Sequence, residues 1–309
     1  MVLANDTEQT MEEKPPVGAK TALVTIIGRP SAGKSTFLNT ASGEEIAIVS
    51  SYPQTTRNAI RGIVNTSLGQ LVFVDTPGYH DSEKKMNLRM KALVTDRLDD
   101  ADCILYVVDS TRACGEEEKA IAALLKPLAK KVVIAINKTD DAHAKPQDAR
   151  QFVQEALPDA YKIVPMSAKD DSGVDDVLRA LFDLAPEGPH LYGEEFYTDQ
   201  EVDFRIAEVI REQAMIRVSQ EIPHAIYVKI ADMEMRSPNE MWVRAFLCVE
   251  RESQKGILIG KGANLIKTIR LESNKKLRRI FPYRIDLDLQ VKVDKNWRQK
   301  DSRLDKLIT

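Results

Sequence analysis

Gly28-Arg29-Pro30-Ser31-Ala32-Gly33-Lys34-Ser35, with Thr36 next in line, is the stretch from which the rest of the chain is read. It matches G-x-x-x-x-G-K-[ST] and stands directly behind the apolar run ALVTII (22–27), with a helix expected to open at about Gly33 to Thr36. Glycines let the backbone wrap phosphate oxygens with its N–H groups pointing inward. The helix N-terminus adds a positive dipole end, and Lys34 reaches the β and γ oxygens. Ser35 offers its hydroxyl to Mg²⁺. A Gly-rich turn can match this pattern by chance, and the pattern does not separate ATP from GTP. The strand in front of it is the first argument against chance.

Four more apolar runs follow at helix-sized intervals: QLVFVD (70–75), CILYVV (103–108), KVVIAI (131–136) and KIVPM (162–166). Between them, stretches such as Met86–Leu98 and Glu116–Ala129 have helical periodicity. Strand–helix alternation predicts an α/β domain with a doubly wound, mostly parallel sheet, whose ligands sit at the C-terminal ends of the strands. The loops after those strands carry the chemistry. Asp75-Thr76-Pro77-Gly78 places a carboxylate where it can hold the Mg²⁺ shell, and Gly78 offers an N–H to the γ-phosphate, with Tyr79 beside it. Upstream, Pro53-Gln54-Thr55-Thr56-Arg57 offers a threonine that can close on the metal, Thr56 being taken ahead of Thr55.

Asn137-Lys138-Thr139-Asp140 selects the base. The Asp140 carboxylate can accept both N1–H and the exocyclic N2–H₂ of guanine, a pair of donors that adenine lacks. Asn137 is expected to tie this loop to the phosphate loop, the Lys138 stem to cover one face of the base, and the backbone of Ser167-Ala168-Lys169 to meet guanine O6. Each motif alone is an ordinary turn. Their common order behind successive parallel strands is what converges on one guanine-nucleotide site.

The chain has 309 residues, enough for two cores. Residues 1–19 are polar and read as a disordered tail without a signal-peptide core, residues 20–185 as the nucleotide domain and 186–199 (PEGPHLYGEEFYTD) as a linker. Residues 200–309 form a second, α+β unit. Its pattern is a helix around Phe204–Ser219, strands at IYVKI (226–230) and MWVRAFLCVE (241–250), a Gly-rich turn over Gly256–Gly262, a helix from Asn264 to about Phe281, and an alternating strand RIDLDLQVKV (284–293). Lys plus Arg against Asp plus Glu is 22 to 30 over residues 1–195 and 22 to 17 over residues 196–309, so the net charge goes from −8 to +5 and the second unit suits a polyanion. Cys103, Cys114 and Cys248 lack metal-ligand spacing and fit reduced thiols in a cytoplasm. The four histidines show no ligand spacing, and no apolar run is long enough to span a bilayer.

Taken together, GRPSAGKSTFLN (28–39), QTTR (54–57), DTPGYH (75–80), NKTD (137–140) and SAK (167–169) resemble the motifs of translation-factor-like GTPases, and more closely those of the Era family. PEGP (186–189), YTDQ (197–200) and EIPHA (221–225) are similar to that family's linker and the start of its second domain. The resemblance implies a P-loop GTPase fold followed by a type II KH domain. It also implies GTP and GDP as ligands with Mg²⁺, binding to the 3′ end of 16S rRNA, and a role in maturation of the small (30S) ribosomal subunit. Cytoplasmic action follows, with peripheral contact to the inner face of the membrane left open and no DNA partner. Where the family usually has an Asn associated with potassium in related GTPases, this chain has Ser31, so a K⁺ requirement is left open.

In the KH reading, Gly260 and Gly262 let the sugar-phosphate chain approach and Lys261 meets a phosphate, with Lys255, Lys267, Arg270, Lys275, Lys276, Arg278 and Arg279 forming a basic sector around them. Ala263 stands where the family loop ends in Gly, at a cost of about 1 kcal/mol if a left-handed backbone is required there. The expected chemistry is attack of water on the γ-phosphate with Lys34 and the Gly78 N–H stabilising charge, slow because no side chain of the motifs is an evident general base. GTP would order residues 44–60 and 76–86 and so bias domain docking. The rival expectation is an RNA-binding scaffold that nucleotide merely stabilises.

Overall fold

Five of the six strands of the first sheet are the apolar runs, and their burial on both faces explains their composition. The computed structural model describes residues 19–50, 52, 55–79 and 85–308, so the expected tail up to Gly18 and Pro53, Gln54 and His80 lie outside the described residues. Strands β1 (Lys20–Ile27), β3 (Gly69–Asp75), β4 (Cys103–Asp109), β5 (Val132–Asn137) and β6 (Lys162–Pro165) run parallel, in the order β2-β3-β1-β4-β5-β6. The edge strand β2 (Ile60–Thr66) is antiparallel to β3, and its sequence IRGIVNT gave no strand signal. Polar residues interrupt its alternation, and Gly62 packs against α1, where a Cβ would lie 2.5 Å from Leu38 Cδ1.

Helices α1 (Lys34–Ser42) and α5 (Val174–Leu184) cover one face, packing Phe37, Leu38 and Leu181 on Val24, Ile26 and Leu105. Helices α2 (Lys85–Asp99), α3 (Glu116–Leu125) and α4 (Pro146–Ala156) cover the other, around Ile27, Ile104 and Ile134. This three-layer winding leaves the C-terminal strand ends open on one edge, where the five motifs gather.

The second unit starts with α6 (Val202–Met215) and the single turn α7 (Ile222–Ala225), two helices where one was expected. Strands β7 (Tyr227–Ser237), β8 (Glu240–Val249) and β9 (Arg284–Val293) form a sheet in that order, the first pair antiparallel and the second parallel. Helices α8 (Glu252–Ile259) and α9 (Asn264–Ile280) pack with α6 on one face of it. The expected turn over Gly256–Gly262 is therefore corrected: Gly256 lies inside α8, and only Gly260–Ala263 turns. Gly256 has open space around it and a helical φ, so its glycine carries no turn signal.

Residues 186–199 contain no helix or strand, yet they are strapped to the first sheet. The Gln70 side chain bonds Leu191 N, Tyr192 N and Tyr192 O, and Ile63 N donates to Tyr197 O. The C-terminal stretch, unread in the sequence, forms a turn at Trp297–Gln299 and helix α10 (Asp301–Leu307). Trp297 and Leu304 pack with Tyr227 and Cys248 of the second sheet and with Met86 and Met90 of α2, while Arg89 of α2 pairs with Asp301 and Asp305. Among the described residues no helix is long and apolar enough to cross a membrane.

Candidate nucleotide and RNA sites

The phosphate loop joins β1 to α1, and its conformation depends on glycine at three points. Gly33 has φ 98°, and a Cβ there would sit 2.2 Å from Asn137 Nδ2. At Gly28 a Cβ would press on Val107 O at 2.4 Å, and at Gly78 on Pro30 Cα at 2.6 Å. The loop thus has the backbone of β4 and of the turn after β3 packed against it. Ser31, also in the left-handed region with φ 62°, is exposed beside Pro30 and Ala32. A cleft of about 380 Å³ opens over the loop, lined by Ser31, Lys34, Ser35, Thr36, Thr56 and Gly78.

Lys34 is buried, its Nζ donating to Gly28 O at 3.1 Å and Arg29 O at 3.2 Å. Burial lowers its pKa to about 8, with the neighbouring Asp75 charge working the other way. Ser35, Thr56 and Asp75 come together as a compact set. Ser35 Oγ donates to Asp75 Oδ2 at 2.6 Å and lies 2.9 Å from Thr56 Oγ1, which is 3.4 Å from the same carboxylate oxygen. Asp75 is buried, which pushes its carboxyl pKa upward, and its Oδ1 has no hydrogen-bond partner among the described residues. Two hydroxyls and a carboxylate with one orphaned oxygen are a hard-oxygen donor set that fits Mg²⁺. Thr55, the alternative, instead bonds Ser50 Oγ and Tyr52 O.

Thr76 is buried with its hydroxyl on Ile26 O, and Pro77 continues the same turn. Tyr79 does not face the cleft. Its ring is buried among Ile27, Val94 and Leu98, and only its N–H works at the loop, donating to Gly28 O. An apolar ring placed there after Gly78 is explained by the core beneath it.

The base end is joined to the phosphate end by one side chain. Asn137 Nδ2 donates to Ala32 O at 2.8 Å, and Asn137 Oδ1 accepts from Ala168 N at 2.9 Å. Ser167 Oγ donates to Asp140 Oδ1 at 2.7 Å, Lys169 Nζ stands 3.9 Å from Asp140 Oδ2, and Thr139 N donates to Met166 O. Lys138 takes a left-handed backbone (φ 65°), and its Nζ is fixed 2.8 Å from Asp109 Oδ2.

Asp109 is a residue the sequence reading missed. It ends β4 as Asp75 ends β3, and that parallel was the available signal. Its carboxylate also stands 3.7 Å from Arg29 Nη2, while Arg29 Nη1 pairs with Glu118 at 2.8 Å. Arg29 is thereby turned away from the phosphates into a buried ion cluster. Ile48, Val49, Ser50 and Tyr52 also line the cleft and were not anticipated.

At the far side of the second unit, Gly260 (φ 73°), Gly262 (φ 61°) and Ala263 (φ 59°) form a short turn between α8 and α9. A side chain at Gly260 would meet Leu265 Cβ at 2.9 Å, whereas Gly262 faces open space. Lys261, Lys267 and Arg270 are exposed around the loop and Lys255 is half-buried. Lys276 does not belong to this surface, because it pairs with Glu45 and Glu212 at 2.8 Å each. Ala263 pays the left-handed penalty foreseen for it. Ala263→Gly is expected to raise the unfolding free energy by about 1 kcal/mol, read as a higher urea midpoint at unchanged slope.

Comparison with known proteins adds the following. A family described as a 50S ribosome-binding GTPase matches residues 23–138, and a KH domain family matches residues 221–298. GTPase Era of Treponema denticola is 56% identical over 288 residues, covering 92% of this chain and 98% of that protein. GTPase Era of Treponema pallidum (strain Nichols) is 48% identical over 304 residues, covering 92% and 95%. Among solved structures, a variant of Aquifex aeolicus Era bound to GDP·AlF₄⁻ superimposes with a TM-score of 0.89 at 30% identity, covering 93% of this chain and 98% of that one. Era in complex with MgGDPNP and nucleotides 1506–1542 of 16S ribosomal RNA gives 0.88 at 30% identity, covering 94% and 98%.

Proposed function

Because the chain belongs to the Era family of GTPases, we propose that it is a GTP-hydrolysing switch that binds the 3′ end of 16S rRNA and assists maturation of the 30S subunit in the cytoplasm. The observation that carries the nucleotide half of this reading is the Asn137 side chain, which bonds the phosphate loop and the 167–169 loop at once. Phosphate and guanine recognition thus belong to a single rigid site. We divide the chain accordingly into a nucleotide domain over 20–185, a strap over 186–199 and a KH domain over 200–309.

In this reading Gly28 to Thr36 enclose the phosphates, and Lys34 leaves the Gly28 and Arg29 carbonyls to neutralise charge on the β and γ oxygens. Ser35, Thr56 and Asp75 would hold Mg²⁺, which supplies further neutralisation of the triphosphate when bound. The Gly78 N–H would meet the γ-phosphate, and the lack of a side chain lets this turn lie close to Pro30, where a Cβ would come within 2.6 Å of Pro30 Cα. Asp140, oriented by Ser167, reads the guanine edge. Water must be positioned by backbone groups, since Tyr79 is turned into the core, and slow turnover follows.

The KH loop Gly260–Ala263 with Lys255, Lys261, Lys267 and Arg270 would take the RNA, a reading supported by the 16S fragment bound to the related Era. Single-turnover hydrolysis measured with and without a fragment of the 16S 3′ end tests the whole reading. The fragment should raise the rate and crosslink to the Gly260–Arg270 region. A rate below detection in both conditions would favour the scaffold reading instead.

A further inference from the structure

We infer that the second domain positions Thr56 in the GTPase site, with Arg57 as the positioning residue that transmits its hold. The inference rests on the proposed Mg²⁺-GTP chemistry and goes beyond it, because it assigns part of the nucleotide site to the RNA-binding half of the molecule.

Among the described residues, the segment around Thr56 is tied to the second domain at several points. In an extended chain, consecutive side chains point to opposite sides. Thr56 turns to Ser35 and Asp75, and Arg57 turns away. Arg57 Nη1 donates to Ile226 O at 2.7 Å and Nη2 to His224 O at 3.2 Å. The carbonyl between them, Ala225 O, accepts from Trp297 Nε1 at 2.9 Å, and the Arg57 guanidinium lies 5.5 Å from the centre of the Trp297 ring. Three successive carbonyls of the second domain are therefore shared between one arginine of the first domain and a tryptophan of the C-terminal stretch.

On the other side of Thr56, Arg211 Nη2 of α6 donates to Thr55 O at 2.6 Å. Arg211 is itself held by Glu208 through Nε at 2.7 Å and Nη2 at 2.5 Å. Further back, the Tyr52 hydroxyl donates to Val218 O at 2.6 Å and Val49 N to Glu212 Oε1 at 3.3 Å.

Arg57 is only 6% exposed, and no carboxylate among the described residues hydrogen-bonds it. Its charge is met by peptide dipoles, a ring face and, through space, the Glu208 carboxylate. Burial, then the charge of Arg211, lower its pKa to about 9, so it stays charged at neutral pH. A forked donor suits this place and an ammonium does not, because the two carbonyls need two donors held in one plane. A rearrangement that parts the domains must release Arg57, and with it the backbone that carries Thr56.

The test uses full-length protein with Arg57→Lys, which keeps the charge and loses the fork. Affinities for GDP and for a non-hydrolysable GTP analogue are measured in Mg²⁺, alongside thermal unfolding. In the proposed chemistry Thr56 closes on Mg²⁺ when the γ-phosphate is present, so GDP binding should not depend on it. The expected result is GDP affinity within twofold of wild type, with the GTP-analogue affinity lowered roughly tenfold or more, as for loss of a charge-assisted hydrogen bond. The Mg²⁺ concentration for half-maximal hydrolysis should rise in step.

Arg211→Lys, which reaches the same segment from the second domain, should give the same GTP-specific loss, and it decides the matter if Arg57→Lys is unfolded. Equal losses for both nucleotides, or no loss in a folded variant, overturn the inference. Failure of the wild type to bind GTP in preference to ATP would instead overturn the proposed function, so the two failures are told apart.

Discussion

Asp140→Asn is expected to weaken GTP binding on the order of 10⁴-fold, the scale on which sites built to pair buried polar groups reject a mismatched partner. The Asp140 carboxylate is oriented by Ser167, whose hydroxyl donates to Oδ1 at 2.7 Å, and it lies 3.9 Å from Lys169. In the proposed site its remaining lone pairs would be the acceptors for guanine N1–H and N2–H₂. An amide in its place puts an N–H₂ group opposite one of those donors, so one attraction becomes a repulsion. Xanthine, which carries a carbonyl where guanine carries the amino group, should regain affinity for the Asn variant. Titration of GTP, ATP and xanthosine triphosphate against both proteins measures the exchange. A GTP preference that survives the substitution would remove the basis for guanine recognition argued above.

Lys34→Ala should lower the hydrolysis rate by about 10³-fold, at the upper end for loss of a single preorganised donor to the transferring group. A second consequence concerns pH. The folded-state pKa of Lys34 is about 8, below its ordinary 10.5, chiefly because the side chain is buried. Between these two values the unfolded chain holds more protons at this residue than the folded one, so its contribution to stability rises with pH across the window. Below pH 8 both states carry the charge, and the cost of burying it is felt in full.

Nucleotide binding runs the other way. Phosphate oxygens favour the ammonium, so GTP raises the Lys34 pKa, binding takes up a proton, and affinity falls by up to about tenfold per pH unit above pH 8. Calorimetry in two buffers of different ionisation enthalpy should detect this uptake in the wild type, and the Lys34→Ala variant should lose it.

How much of this was legible in residue order varies with the range of the interaction. Gly28 to Ser35, Asp75 to Gly78 and Asn137 to Asp140 were readable because each is a local solution to a local problem. A strand must end, a backbone must turn, and a phosphate or a base must be met within a few residues. The bond from Asn137 to Ala32 was foreseeable for the same reason, since parallel strands bring their following loops to one edge. Tyr79 was assigned to the nucleotide because it follows Gly78, and its ring went to the core instead. Composition shows that an aromatic residue is present, while only packing decides which way it faces.

Strand β2 was missed because its pattern does not alternate: Ile60, Gly62, Ile63 and Val64 are all buried, on both faces, while Arg61 and Asn65 fall within the span. Helix α8 was hidden by Gly256, which marks a turn in most contexts and is carried here by a helix packed on β8 and β9.

What residue order determined is the chemistry of each loop and the order of the elements that carry it. What the tertiary structure decided is the meeting of distant parts: Asp109 between Arg29 and Lys138, and Arg57 against the His224–Ile226 carbonyls beneath Trp297. These hydrogen bonds and ion pairs join residues between 29 and 169 positions apart in the chain. Their donors and acceptors are the backbone carbonyls and common charged side chains found everywhere in the chain. Nothing in their identity names a partner, and only the fold puts them within hydrogen-bonding reach.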